Sequence, residues 1–158
     1  MRLLSFARVR SAGPDDAEQL AALCQAHAEF ERLDFDAHGF AQRLAAALSC
    51  GALHAWLALD GAQAVGYATA SPVFSTLQAA HYMHMDCLYL MPEFRGQGLG
   101  GVLMQAVRDH AQAQGCQQLQ WQTPDWNHGA IDFYHRAGAL GLPKQRFSLA
   151  LPDDEDKS

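Results

Sequence analysis

Pro92-Glu93-Phe94-Arg95-Gly96-Gln97-Gly98-Leu99-Gly100-Gly101-Val102-Leu103 is the stretch that decides how this chain is read. Four glycines fall within six residues, between the apolar run Cys87-Leu88-Tyr89-Leu90-Met91 and a helical repeat carrying Val102, Leu103, Ala106, Val107 and His110. Glycines in such a place let backbone approach a ligand closely, and the N–H groups of a helix start attract phosphate. Two phosphate-binding templates fit. Gly96-x-Gly98-x-x-Gly101 satisfies the dinucleotide fingerprint, with Asp125 somewhat past the place of a ribose-binding acid. Against it stand the spacer Pro92-Glu93-Phe94-Arg95 and a remainder of chain too short for repeated strand–helix–strand units. Arg95-x-x-Gly98-x-Gly100 opening a helix instead turns backbone N–H groups toward a pyrophosphate, with Arg95 adding a charge-assisted contact. A glycine-rich turn without a ligand is the third reading.

The elements around the loop follow from local signals. Leu4, Phe6 and Val9 mark a first strand, and Gly13-Pro14-Asp15-Asp16 starts a helix carrying Leu20, Leu23, Cys24 and His27. A second helix is expected over 37–48, with Phe40, Leu44 and Leu48 on one face. Asp60-Gly61 joins strands at 53–59 and 64–74 as a hairpin, and a further strand spans 81–91. The helix after the loop covers 98–114 and ends at Gly115. A strand with Leu119, Trp121 and Thr123, a helix over 127–136 and a last strand with Phe147, Leu149 and Leu151 complete the order. This predicts a mixed α/β domain, mostly antiparallel in its first half, with one crossover.

Composition narrows the class. A chain of 158 residues is expected to form one domain with a real core. No apolar run reaches the length of a membrane span, and the N-terminal apolar run is too short for a signal peptide. Cys24, Cys50, Cys87 and Cys116 are widely spaced, which predicts buried, reduced thiols of a cytoplasmic protein rather than a disulfide or zinc framework. The net charge is −6, and residues 152–158 carry four acids against Lys157, which predicts a solvated, disordered tail. A mildly acidic body with two lysines argues against nucleic acid and is compatible with a cationic small substrate.

Arg95-Gly96-Gln97-Gly98-Leu99-Gly100 resembles the acyl-CoA pyrophosphate loop of the GNAT superfamily of N-acetyltransferases. Asp125-Trp126-Asn127-His128-Gly129-Ala130-Ile131-Asp132-Phe133-Tyr134-His135-Arg136-Ala137-Gly138-Ala139 resembles the second signature of that superfamily. The order of elements is similar over residues 4–151. The wording of the second motif, and Ala28-Glu29-Phe30-Glu31-Arg32, are most similar to the diamine (spermidine/spermine-like) and thialysine acetyltransferases. The resemblance implies a GNAT fold, an α/β (α+β) arrangement whose mixed central sheet has about six to seven strands flanked by about four helices. It implies one domain over 1–151, acetyl-CoA as the acetyl donor, a cytoplasmic location and a homodimer. It further implies transfer to the primary amine of a diamine, polyamine or lysine-like molecule, by direct attack in a ternary complex. Another amine, such as an antibiotic or a protein N-terminus, and a catalytically silent acyl-CoA sensor are the alternatives.

Acetyl transfer from a thioester needs an amine that loses a proton, a polarised carbonyl and a protonated leaving thiolate. By its motif position Tyr134 supplies that last proton, since a phenol is protonated at neutral pH; packing beside Phe133 is its other possible use. Asn127 matches the residue that bonds the cofactor arm, and equally suits an N-cap. In the strand before the loop, a period of two puts Tyr82, His84, Asp86, Leu88 and Leu90 on one face and Cys87, Tyr89 and Met91 on the other. By resemblance, Leu88 and Leu90 lend backbone groups to the pantetheine arm, and Gly96, Gln97, Gly98, Leu99, Gly100 and Gly101 join Arg95 around the pyrophosphate. Asp86 stands where the polyamine-type relatives carry a glutamate that accepts the amine proton through water, and the next position, acidic in those relatives, is Cys87. His84 is a second candidate base, because imidazole titrates near neutrality. His81-x-x-His84 puts its rings on opposite faces, so no metal site is expected. Cys87 lacks an evident activating partner as a nucleophile. Glu29, Glu31 and Asp34 are candidates for a second ammonium or are solvated acids. Phe74-Ser75-Thr76-Leu77 resembles a loop that lines the acceptor pocket in relatives, Tyr82 is a further candidate for that pocket, and Trp126 either packs there or fills the core.

Overall fold

The structure, a computed structural model, describes residues 7–153. Leu4, Phe6 and the tail from Asp154 onward lie outside the described residues. The chain divides after Pro124 into two compact units. The first holds β1 (Ala7–Ala12), α1 (Ala17–Phe30), α2 (Phe40–Ser49), β2 (His54–Asp60), β3 (Gln63–Ser75), β4 (Ala80–Leu90), α3 (Leu99–Ala113) and β5 (Leu119–Gln120). The second holds α4 (His128–Arg136). The strands form one sheet in the order β1-β2-β3-β4-β5. The first three pairings are antiparallel, and β4 pairs parallel with β5, the crossover running through α3.

Local chemistry sets the element ends. Arg10 grips Asp16 with two hydrogen bonds of 2.9 and 2.8 Å, and Asp16 also accepts from the Gly13 N–H. That fork ties β1 to the single 3-10 turn, Pro14–Asp16, that precedes α1. The second helix begins at Phe40 rather than 37, because Gly39 sits at φ +65°, outside helical space. Gly115, at φ +80°, closes α3, with the Cys116 N–H donating back to the Ala111 carbonyl.

Both faces of the sheet are covered. Leu20 and Leu23 of α1 pack with Ala55, Leu57, Leu59, Tyr67 and Tyr89, and Leu44 and Leu48 of α2 join them. The opposite face meets α3: the Trp56 ring lies 5.3 Å from that of His110, while Met83, Leu103 and Val107 are fully buried. Among the described residues no helix is long and apolar enough to cross a membrane.

Four expectations are corrected by the structure. The sheet has five strands among the described residues, not six to seven. Phe147, Leu149 and Leu151 form no strand and are more than four-fifths exposed; alternation biases side chains, but a strand also needs a partner backbone. The strand through Leu119, Trp121 and Thr123 ends at Gln120. Of the four free thiols, only Cys116 is fully buried and Cys50 is exposed, so uniform burial does not hold.

Candidate active site

The centre of the first unit's site is an irregularity in β4. Its register with β3 runs Ala70↔Met85 and then Thr69↔Cys87, so Asp86 is an extra residue with no opposite number, a β-bulge. A bulge inverts the face of everything beyond it. Tyr82 and His84 therefore share a face with Cys87 and Tyr89, and Leu88 and Leu90 lie on the α3 face with Met83 and Met85. The expected row Tyr82, His84, Asp86, Leu88 and Leu90 is thus broken at its middle. His84 and Asp86 still meet, with Nε2 3.7 Å from Oδ1. Asp86 is exposed, and Phe74 stands exposed against the His81 ring at 5.2 Å.

The bulge also frees an edge. Pairing with β5 consists of Met83–Leu119 and His84–Gln120 and stops just before Asp86. From Asp86 to Leu90 no strand among the described residues pairs with this side of β4. Such an edge offers alternate amide donors and acceptors to any extended chain that lies along it.

That edge runs into the glycine loop. A single 3-10 turn, Pro92–Phe94, plants Phe94 in the core, and Gly96 and Gly98 then take φ +74° and +89°. No side chain caps α3, and the first hydrogen bond of the helix is Val102 N–H to the Gly98 carbonyl, so the N–H groups of Leu99, Gly100 and Gly101 lack intrahelical acceptors. A β-carbon added at Gly96, Gly98 or Gly101 would meet no atom within 4 Å. Bare donors, a helix N-terminus and open space fit a pyrophosphate. Arg95 is used differently from expectation. Its Nε donates to the Leu90 carbonyl at 2.9 Å, and its guanidinium lies over the rings of Phe30 and Tyr89.

Sequence reasoning missed a polar cluster on the α1 side of the sheet. His27 Nδ1 is 2.6 Å from the Tyr67 hydroxyl, and its Nε2 is 3.3 Å from Glu31 Oε1. Burial lowers the His27 pKa, which Glu31 partly opposes, and raises that of Tyr67 far above its ordinary value. Burial pushes the Cys87 thiol up to about 12 and also raises Cys24. The i, i+4 pair His27–Glu31 was the one local signal of this cluster. Glu29 and Asp34 are exposed, and Glu31 is half-buried.

In the second unit Asn127 caps α4, its Oδ1 accepting from the Ala130 N–H at 3.3 Å. The Tyr134 and Phe133 rings pack edge to face at 5.5 Å, and the Ala139 N–H donates to the Tyr134 carbonyl. Trp126 precedes the cap, and its carbonyl accepts from the His128 N–H.

Residues 19–139 match the family model of the acetyltransferase (GNAT) family. The chain is 32% identical over 131 residues to a thialysine N-epsilon-acetyltransferase of Caenorhabditis elegans, covering 83% of this chain and 81% of the relative. The thialysine N-epsilon-acetyltransferase of Bos taurus is 30% identical over 149 residues, with 88% and 87% covered. A solved aminoglycoside N-acetyltransferase in complex with CoA shares the fold, at TM-score 0.81 and 16% identity over 92% of this chain and 95% of the other. With an open strand edge leading to a bare, glycine-lined helix start, the chain belongs to the acetyltransferase (GNAT) family and is an acetyl-CoA-dependent N-acetyltransferase.

Proposed function

We propose that the chain acetylates the primary amine of a small lysine-like or diamine acceptor by direct attack within a ternary complex. The observation that carries the reading is the continuity of the bulge, the open β4 edge and the glycine loop, which sets the Asp86 carboxylate at one end and phosphate-binding donors at the other. The names of the worm and cattle relatives support the acceptor class. Acetyl-CoA supplies the activated thioester. Backbone groups of Leu88 and Leu90 hold its pantetheine arm, and the N–H groups from Gly96 to Gly101 hold its pyrophosphate. Asp86 takes the amine proton through water, with His84 at 3.7 Å as the alternative base. By their motif positions, Tyr134 gives its Oη proton to the departing sulfur and Asn127 bonds the cofactor arm. A Cys87 thiol raised to about 12 is a poor nucleophile, which favours direct attack over an acyl-enzyme. The family match crosses the division after Pro124, which supports one acetyltransferase domain over 1–151. A cytoplasmic homodimer belongs to the same reading and rests on the resemblance.

Thiol release from acetyl-CoA across a panel of amines tests the proposal. Turnover of lysine-like amines or diamines supports it, and turnover confined to aminoglycosides or to peptide N-termini redirects the acceptor. CoA binding without any turnover makes the chain a sensor. Tyr134→Phe is expected to lower kcat about a hundredfold with CoA affinity little changed, and an unchanged rate removes its acid role.

A further inference from the structure

The α1 face of the sheet holds a chain of hydrogen bonds that none of the roles above uses. It runs from the Tyr67 hydroxyl to His27 Nδ1 at 2.6 Å, and from His27 Nε2 to Glu31 Oε1 at 3.3 Å. The imidazole is stacked on Tyr89, with ring centroids 4.9 Å apart and planes 18° apart, and only 12% of its side chain is exposed. With the imidazole neutral, as its burial favours, each bond has one direction. An ionised carboxylate only accepts, so Nε2 carries the proton of the neutral ring; Nδ1 must then accept, and the Tyr67 hydroxyl donates. Tyr67 is fully buried, which disfavours its ionised form and keeps that proton in place. The thiols of Cys24 and Cys87 lie within electrostatic reach of its oxygen. The chain therefore ends on one exposed-side group, the Glu31 carboxylate, which keeps unused acceptor capacity.

The surroundings of His27 connect this chain to the reacting end of the site. By register His84, Cys87 and Tyr89 lie on this same face, and His27 is within electrostatic reach of Asp86 at the bulge and Arg95 at the loop. A glutamate at the end of a helix ordinarily loses rotamer freedom when it grips a cation, and one already held avoids that loss.

We propose that His27, held by Tyr67, is a positioning residue that presents the Glu31 carboxylate to a second positive charge on the acceptor. This distinguishes Glu31 from Glu29, and makes the end of α1 the place where a dibasic acceptor is told from a monoamine. It rests on the acceptor class proposed above.

Steady-state kinetics with acetyl-CoA and two amines of matched length, 1,5-diaminopentane and pentylamine, test it. The wild type is expected to show the lower KM for the diamine. His27→Phe keeps the stack on Tyr89 and loses the donor; it is expected to raise the diamine KM roughly three- to tenfold and leave the pentylamine KM alone. His27→Gln restores an N–H donor and is expected to recover most of the loss. Tyr67→Phe keeps the ring and is expected to act in the same direction with smaller size, which covers a failure of His27→Phe to fold. Glu31→Gln is expected to abolish the preference. Equal KM values for the two amines in the wild type, a His27→Phe effect shared by both, or a preference abolished by Glu29→Gln instead overturns the inference while N-acetylation stands. Turnover of neither amine overturns the inference and the acceptor class together.

Discussion

Arg95 Nε donates to the carbonyl oxygen of Leu90 at 2.9 Å, joining the first residue of the glycine loop to the last residue of β4. The guanidinium carbon also lies 4.6 Å from the centre of the Phe30 ring and 5.5 Å from that of Tyr89, so one side chain gathers the loop, the strand and α1. Its effect on phosphate binding is then mainly through loop geometry. Arg95→Ala is expected to raise the KM for acetyl-CoA about tenfold, the size of one lost charged hydrogen bond. Arg95→Lys should recover only part, because an ammonium cannot both stack and donate from Nε. An alanine variant with unaltered acetyl-CoA affinity would contradict this.

At Gly66, β3 leaves no room for a side chain against β4. A β-carbon there would stand 2.7 Å from the Tyr89 carbonyl oxygen and would collide with the Leu90 side chain. Leu90 can turn, but the backbone oxygen cannot move without bending the end of β4. Gly66→Ala is expected to destabilise the fold by about 1–3 kcal/mol and to weaken CoA binding, as read by denaturant unfolding and calorimetry. A stable variant with normal CoA binding would show that this end of β4 yields freely.

If Asp86 takes the amine proton, Asp86→Asn removes the acid limb of the kcat/KM profile and lowers kcat about a hundredfold. His84→Gln should have the smaller effect, since its ring reaches the reaction only alongside Asp86, 3.7 Å away. The reverse ranking would make His84 the base.

Acid should weaken the fold in two separate windows. Burial lowers the pKa of both His27 and His110 from 6.5, so the unfolded chain binds more protons and stability falls as pH drops below 6.5. His27 faces Glu31 just after α1, Tyr67 of β3, Asp86 and Tyr89 of β4, and Arg95 of the loop. His110 lies beside the His54 ring at 4.4 Å, and its buried Nε2 has no hydrogen-bond partner among the described residues. Asp16, bonded to Arg10, has a lowered pKa, so its contribution is present above 3.8 and is lost as pH falls through its folded value. Thermal midpoints measured against pH should decline below 6.5, and His110→Phe should make that first decline shallower. A midpoint flat from pH 7 to pH 5 would refute the assignment.

Most elements were legible because their signals are local. Asp60-Gly61 marks the β2–β3 hairpin, with Gly61 at φ +62°, and Gly115 marks the end of α3. The misplaced boundaries have local causes too, such as the left-handed Gly39 before α2. The alternating Phe147, Leu149 and Leu151 misled because pattern reports preference for a face and says nothing of a pairing partner.

By itself the sequence determined the family, the glycine loop and the candidate residues Asp86 and Tyr134, because motifs are contiguous and their chemistry resides in residue type and spacing. Only the tertiary structure decided which way the residues of β4 face. The bulge at Asp86 is a mismatch of count between two strands, visible in neither strand alone, and it separates His84 from Leu88. Packing likewise turned Arg95 onto Phe30 and set His27 of α1 against Tyr67 of β3, forty positions away, since a side chain's partner is chosen by the element that comes to rest beside it.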